Sequence, residues 1–324
     1  LEVTIIIVNY NSGELLQKCI EALEKQTKLP SQVIIVDNFS DDDSLSNIDS
    51  KIINLQIISL SANFGFAKAN NIALGNLKNS PWVALLNPDA FPTPTWLEEL
   101  CGGTKKFPEF SFYASNMIDA KNHSLIDGQG DVYHFSGLAW RKGHGKLLES
   151  INQPNQEDKP QYIFAACAGA ALYKTEDIVT IGGFDEDFFC YMEDVDLSFR
   201  LNLTGKKGIY VPGAIVHHIG SAITGKKSSF SIYYGHRNLV WTYFKNMPLT
   251  LLLLTLPMHI VLNLFSLLYF SLKGKSRIIF KSKFDALKGL PDIFRKRRII
   301  QQHRVISSRE IFSLMDKQIF IFRK

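Results

Sequence analysis

The densest group of chemically useful side chains in this 324-residue sequence lies between Phe188 and Arg200. There Phe188, Phe189, Cys190, Tyr191 and Met192 lead straight into Glu193, Asp194 and Asp196. Folding alone has little use for three carboxylates beside so much aromatic surface, whereas a site that removes a proton or holds a metal does. Two further donor sets stand at similar points. Asp89 follows the apolar run Trp82 to Leu86, and His217 and His218 follow Ile209 to Val216. An ionised carboxylate can take a proton from an attacking hydroxyl, and carboxylate with imidazole suits a Mn²⁺-like cation. Glu193 and Asp194 are placed to begin a helix, where the dipole favours the charged form, so both are expected to be ionised. Asp196 reads as a first-turn charge or cap partner, and helix capping is the plain alternative for the whole cluster. Asp89 can reach a divalent cation and a diphosphate from a strand end; alone, it would more readily make an Asx turn. Adjacent histidines in an extended chain face opposite ways, so only one of the pair can face the site. The run Asp41-Asp42-Asp43 is richer in acid but precedes Ser44-Leu45, which reads as a helix N-terminus.

The elements that must position these groups follow from hydrophobic periodicity. Val3 to Val8 is a continuous β-branched run, as in a strand buried on both faces of a parallel sheet. Glu14 to Gln26 has helical spacing. Val33 to Val36 is a second buried strand closed by Asp37-Asn38, and Leu55 to Leu60 is a third. Phe66 to Leu77 reads as a helix, and Trp82 to Leu86 as a fourth strand closed by Asn87-Pro88-Asp89. This β-α-β-α alternation predicts a doubly wound α/β sheet, in which ligands bind beyond the carboxyl ends of the strands. Tyr10, Asp37 and Asp89 all fall at such ends. Between Asp119 and Pro160, Gly128, Gly130, Gly137, Gly143 and Gly145 predict a loop-rich insertion with short strands. The small residues from Ala165 to Ala171, Gly169 among them, let backbone approach a ligand or pack a strand on a helix.

Composition narrows the class. No GxGxxG follows the first strand and no GxxxxGK[ST] occurs, which excludes a dinucleotide fold of that type and a P-loop enzyme. Cys19, Cys101, Cys167 and Cys190 are scattered, which fits a reducing compartment rather than a disulfide framework or zinc site. The first apolar run is too short for a signal peptide, and Leu1 in place of Met predicts a trimmed or partial N-terminus. The net charge of +5 hides an asymmetry: from Lys273 to Arg304 many basic residues are opposed only by Asp285 and Asp292. Beside them, Leu249 to Leu272 carries no charge. As a helix it would span roughly 36 Å, enough to cross a bilayer. Pro257, His259 and Asn263 are expected to interrupt it. Lys245 and Lys273 flank both ends, which favours a kinked helix or hairpin lying in one leaflet against anionic lipid. A crossing helix and a buried core helix are the alternatives.

The order of motifs resembles glycosyltransferase family 2, and most closely its bacterial rhamnosyltransferase branch. The matching residues are Asn9-Tyr10-Asn11, Val36-Asp37-Asn38-Phe39-Ser40, Asn63-Phe64-Gly65-Phe66-Ala67 and Leu86-Asn87-Pro88-Asp89. They continue through Gly182-Gly183-Phe184-Asp185-Glu186, Glu193-Asp194-Val195-Asp196-Leu197, His218-Ile219-Gly220-Ser221, Arg237-Asn238 and Lys245-Asn246-Met247-Pro248. The resemblance implies a GT-A fold, that is, a Rossmann-like mixed sheet flanked by helices. Residues 1–225 would form the catalytic domain, and 226–324 a helical, apolar and basic membrane-associating region. It implies a nucleotide-sugar donor, a divalent cation (Mn²⁺ or Mg²⁺) and inversion at the anomeric carbon. Asn9, Tyr10, Asn11, Asp37, Asn63, Gly65, Phe66, Asn87, Asp89 and Gly169 would contact the donor, with Asp37 accepting the base N–H. Asp89 is the surviving acid of the family's DxD motif, since Asn87 replaces the first, and that raises the weight on His218 as a second metal ligand. Asp194 matches the general base, with Glu193 the second choice. Asp127, Asp131 and Trp140 are candidates for acceptor contact.

The expected activity is transfer of a sugar, with rhamnose from dTDP-rhamnose the first choice and a UDP-hexose the alternative. The acceptor would be a polyprenyl-linked saccharide of a bacterial cell-surface polysaccharide, at the cytoplasmic face of the inner membrane. Partners are the donor, the lipid-linked acceptor and the membrane surface, with no nucleic acid. A nucleotidyltransferase would carry a Gly-rich loop with Arg and Lys after the first strand, and Asn9 to Gly13 has none. A non-catalytic sugar-nucleotide-binding scaffold is favoured only by Asn87.

Overall fold

A parallel four-stranded unit opens the chain in the computed structural model, which describes residues 1–46, 48, 53–148, 159–220 and 228–318. Residues 149–158 of the expected insertion, Ser221 of the last histidine motif, and the expected domain boundary at 225/226 lie outside the described residues. The unit comprises β1 (Val3–Asn9), α1 (Glu14–Glu24), β2 (Gln32–Asp37), β3 (Leu55–Ser59), α2 (Gly65–Gly75) and β4 (Trp82–Leu86). Every residue of β1 is buried because both faces of the sheet are covered. α1 lays Leu16, Cys19, Ile20 and Leu23 on one face, and α2 lays Ala67, Ala69 and Ala73 on the other. Asp42 caps the short helical turn Asp43–Leu45 by accepting from the Ser44 N–H at 3.2 Å, so the acidic run there is a helix start, as expected.

The rest of the sheet is added by β5 (Ala90–Pro92), β6 (Phe112–Asp119), β7 (Ile126–Gly128), β10 (Gln161–Ile163), β11 (Ala170–Lys174) and β12 (Gly208–His218). Helix α3 (Trp96–Lys106) links β5 to β6, and α4 (Thr175–Thr180) follows β11. The hairpin of β8 (Asp131–Tyr133) and β9 (Ala139–Arg141) forms a separate two-stranded sheet. The main order is β10-β12-β6-β11-β4-β1-β2-β3. β11 runs antiparallel to both β4 and β6, and β12 runs parallel to β6. It follows that β1, β2, β4, β6 and β12 all end at one edge of the sheet, and β11 begins there. Topology therefore gathers Asn9, Asp37, Asn87 to Asp89, Gly169 and His218 from distant parts of the chain.

The remaining helices are α5 (Glu193–Leu203), α6 (Ser229–Asn246), α7 (Leu249–Leu272), α8 (Ser276–Lys288), α9 (Leu290–Gln302) and α10 (Ser308–Leu314). α5 packs on the sheet through Leu197 and Leu201, and its Phe199 joins it to the later helices and the β8–β9 hairpin. One apolar cluster combines Tyr133, Phe164, Phe199, Tyr243, Leu251 and Ile311, and Tyr133 stacks on Phe164 at 4.8 Å between ring centroids. Such a pair adds about 0.5–1.5 kcal/mol beyond its buried area. Asp196 departs from the expected first-turn charge. It is fully buried and accepts from Arg200 Nε at 2.9 Å, Lys245 Nζ at 2.7 Å and Asn246 Nδ2 at 2.7 Å. Lys245 also meets Asp185 at 2.5 Å. Removing one member of such a network leaves an uncompensated buried charge, costing about 3–5 kcal/mol.

α7 also departs from expectation, since it runs unbroken across Pro257. His259 is inward, with Nδ1 2.7 Å from the Ser136 carbonyl oxygen, and its ring stacks on Tyr243. The outward face is apolar and uncovered: Leu254 is 77% exposed and Leu272 78%, and Phe284 on neighbouring α8 is 67% exposed. Only 28% of the most apolar window is buried, which removes the core-helix alternative.

Candidate active site

A cleft of about 610 Å³ lies along the sheet edge where these strands end. One wall is formed by Tyr10, Asn38, Asn63, Gly65 and Phe66. Asn9 and Asp37 lie beneath that wall. Asn9 Nδ2 donates to Asp37 Oδ1 and Ser44 Oγ, each at 2.8 Å. The Ser40 hydroxyl donates to Asp37 Oδ1 at 2.6 Å and its N–H to Oδ2 at 3.2 Å. Asn11 ties the two loops together, donating its N–H to Ser40 Oγ at 3.0 Å and accepting the Asp41 N–H at 2.9 Å. Asn38, which the sequence did not nominate for the site, donates to Asn63 Oδ1 at 2.9 Å and accepts the Phe64 N–H at 2.9 Å. Gly65 has φ +84°, and a Cβ there would come within 2.6 Å of the Phe189 ring and carbonyl oxygen. Only glycine fits both the dihedral and the approach.

The floor holds Asn87, Pro88, Asp89, Gly169 and His218. Pairing of β5 with β12 sets Ala90 opposite His218, which brings Asp89 beside the imidazole. His218 Nε2 lies 3.2 Å from Asp89 Oδ1 but without hydrogen-bond alignment, and Nδ1 lies 2.8 Å from Asp127 Oδ2. His217 faces away and packs on His123 at 4.4 Å between ring centroids. With its Nδ1 proton given to Asp127, His218 turns its Nε2 lone pair on the Asp89 carboxylate. That contact is favourable only with a proton or a cation between them. Burial disfavours the proton, but Asp127 and Asp89 outweigh it and raise the imidazole above its ordinary value. A histidine held by a carboxylate on its far nitrogen is the usual support of a metal-binding imidazole. Asp89 and His218 thus fit a divalent cation, and a bound diphosphate could supply further oxygens.

Asp127 does not reach the cleft wall. Its carboxylate is taken up by His218, by an ion pair with Arg141 and by His144 at 3.4 Å. Burial alone would raise it, but those partners hold it well below the usual carboxylate range. Its position is that of a support for His218, in place of the expected acceptor contact. Asp131 and Trp140 do line the cleft, together with Arg141, which carried no sequence signal beyond its place next to Trp140.

Phe189, which packs against Gly65, continues the lining with Tyr191, Met192, Glu193, Asp194 and Phe230. Asp194 is fixed by two backbone donors: Oδ2 accepts the Ala168 N–H at 3.1 Å and Oδ1 the Val195 N–H at 2.8 Å. Glu193 Oε2 is buried with no hydrogen-bond partner among the described residues. Burial raises Asp194 above its ordinary value against the pull of those N–H donors and Arg141. Burial and the Asp194 charge raise Glu193 well above its own. Desolvation thus opposes the ionised form that the helix start was expected to favour. Asp131, buried and facing the Asp194 charge, is pushed up to about 7. Donor atoms of Asp131, Cys167 and Asp194 lie within 4.8 Å of one another, making a second group that could hold a cation. Burial pushes the Cys167 and Cys190 thiols up, so neither is poised as a nucleophile.

The sequence model of Glycosyl transferase family 2 matches residues 4–178. N-acetylglucosaminyl-diphospho-decaprenol L-rhamnosyltransferase of Mycobacterium tuberculosis is 24% identical over 253 residues, covering 72% of this chain and 81% of that protein. Rhamnosyltransferase WbbL of Escherichia coli is 28% identical over 242 residues, covering 71% and 87%. The crystal structure of GalNAc-T7 with UDP, GalNAc and Mn²⁺ superposes with a TM-score of 0.60 at 18% identity, covering 76% of this chain and 48% of that one. At that identity the likeness speaks for the fold alone, which is GT-A.

Proposed function

This chain belongs to glycosyl transferase family 2, and from that premise we propose that it moves rhamnose from dTDP-rhamnose, with inversion, onto a polyprenyl-diphosphate-linked saccharide. The coarser statement is secure: it is a glycosyltransferase of polysaccharide synthesis, similar to bacterial rhamnosyltransferases. The likeness to rhamnosyltransferases supports the donor and acceptor, and Asp194, held by two backbone N–H groups in the cleft that Asp89 and His218 also line, supports direct transfer.

Tyr10 and Asn38 would hold the base, and Asp37, whose Oδ2 accepts only the Ser40 N–H among the described residues, keeps one lone pair there to accept its N–H. Asn63, Gly65 and Phe66 would lie along the ribose and diphosphate. A cation held by Asp89 and His218 would offset charge on the leaving diphosphate. Asp194 takes the proton of the acceptor hydroxyl as that oxygen attacks the anomeric carbon. Burial raises its proton affinity above that of a free carboxylate, as suits a base. The displacement is direct, so no covalent sugar-enzyme intermediate forms. Asp131 and Trp140, which line the cleft, would contact the acceptor sugar.

Membrane association is part of the proposal. The uncovered apolar face of α7 and α8, flanked by the basic residues of α8 and α9, would lie in the cytoplasmic leaflet and bring the cleft to a lipid-linked acceptor. The test is release of nucleoside diphosphate from a panel of dTDP- and UDP-sugars, with and without Mn²⁺ or Mg²⁺ and membrane lipid extract. Turnover of dTDP-rhamnose that needs metal and lipid supports the proposal. Turnover of a UDP-hexose instead would keep the reaction and replace the donor. Absence of both turnover and binding for every donor would overturn it.

A further inference from the structure

The wall that carries Asp194 is built on an unfavourable turn. Phe189 has φ 64° and ψ −65°, and Tyr191 and Met192 each have φ 68°. The Cys190 N–H closes the turn on the Phe188 carbonyl oxygen at 2.7 Å. Three side-chain-bearing residues within four positions thus occupy the left-handed region, which suits glycine. Glycine at these positions would relieve the strain, yet the chain places Phe, Tyr and Met there, and all three line the cleft. Such conformations persist only where the surroundings over-determine them.

Two neighbours on α6 hold the turn: Arg237 Nη2 donates to the carbonyl oxygens of Asp187 at 2.7 Å and Phe188 at 3.1 Å, and Asn238 reaches furthest along it. Asn238 is fully buried, and the two hydrogens of its Nδ2 are shared among the carbonyl oxygens of Phe188 at 2.9 Å, Cys190 at 3.0 Å and Tyr191 at 2.8 Å. Arg237 fixes the amide orientation by donating Nε to Asn238 Oδ1 at 2.9 Å. From the other side the Ala67 N–H donates to the Phe189 carbonyl oxygen at 3.2 Å. The clamped turn ends at Met192, and Asp194 follows two residues later.

We propose that Asn238 is a positioning residue of the transfer reaction: it holds the strained 188–192 turn and so sets the place of the Asp194 carboxylate. This rests on Asp194 being the base. The residue lies beyond the stretch matched by the family model, and its role comes from the bonds of this structure.

Two measurements on the full chain decide it. Hydrogen exchange by mass spectrometry is compared for peptides spanning 187–195 in wild type, Asn238→Ala and Asn238→Asp. Faster exchange there, with the β1 and β4 peptides unchanged, is expected. Steady-state turnover of the donor selected by the panel should show kcat reduced about 10–100-fold with donor KM within about twofold, as for misplacement of a reacting group by about 1 Å. Because Asn238 acts through Asp194, Asn238→Ala/Asp194→Asn should be no slower than Asp194→Asn alone. Adding Met192→Gly, which removes one strained Cβ, should recover part of the kcat of Asn238→Ala. Unchanged exchange overturns the clamp even where Asp194→Asn shows that the base assignment is wrong. Unchanged kcat, or losses that multiply in the double variant, overturn the positioning role. Should Asn238→Ala fail to fold, Asn238→Asp carries the same measurements.

Discussion

Asp127 and Asp131 lie four residues apart in one insertion and differ in almost every physical respect. Asp127 sits among His218, His144 and Arg141, and stays ionised far below the usual carboxylate range. Asp131 faces Asp194 from a buried position and is pushed up to about 7. The first environment pins a charge and, through it, an imidazole beside Asp89. The second stores proton affinity next to the proposed base. Pairs of carboxylates driven apart by their surroundings are how one fold assigns separate tasks to one side-chain type.

The largest break in this contrast is Asp194→Asn. Transfer should fall by about 10²–10⁴-fold, with donor binding within about twofold of wild type; turnover and a binding titration with the nucleotide sugar check it. Transfer close to wild type would move the base role to Glu193. Asp127→Asn is expected next: the support of His218 is weakened, and Mn²⁺ affinity, read by calorimetry with nucleoside diphosphate present, should drop about 10–100-fold. An unchanged affinity would disconnect His218 from the metal. Asp131→Asn sharpens the opposite side. Burial and the Asp194 charge raise Asp131, so the substitution takes a carboxyl that titrates near 7 away from the proposed base and should remove any inflection of the kcat–pH profile near that pH. In the wild type, activity should be low where Asp194 is protonated and rise with pH through a limb above the ordinary carboxylate range. The smallest effect belongs to Cys167→Ala and Cys190→Ala, which should keep kcat within about twofold because burial disfavours the thiolate at both.

Much of the fold is legible in local patterns. β1, β2 and β4 announce themselves as apolar runs, and their last residues point to Tyr10, Asp37 and Asp89 because ligands in such sheets gather at strand ends. The adjacent histidines resolve by the two-residue period of a strand. The unbroken α7 was not legible, since Pro257 locally predicts an interruption that the helix does not show. Nor was the buried network of Asp196, Arg200, Lys245 and Asp185, because Asp185 and Lys245 lie outside the helix that carries the i,i+4 pair Asp196–Arg200, and such a pair alone reads as a surface ion pair.

The sequence by itself determined the family, the strand ends and the acids available to the chemistry, because periodicity and motif order are properties of neighbouring residues. Tertiary structure alone decided which acids became ionised supports and which became proton acceptors. A helix dipole is worth about 0.3–1 kcal/mol, whereas burying a carboxylate costs several. Burial depends on partners as distant as Asn238 is from Phe188, or Asp127 from His218, and no local pattern encodes those contacts.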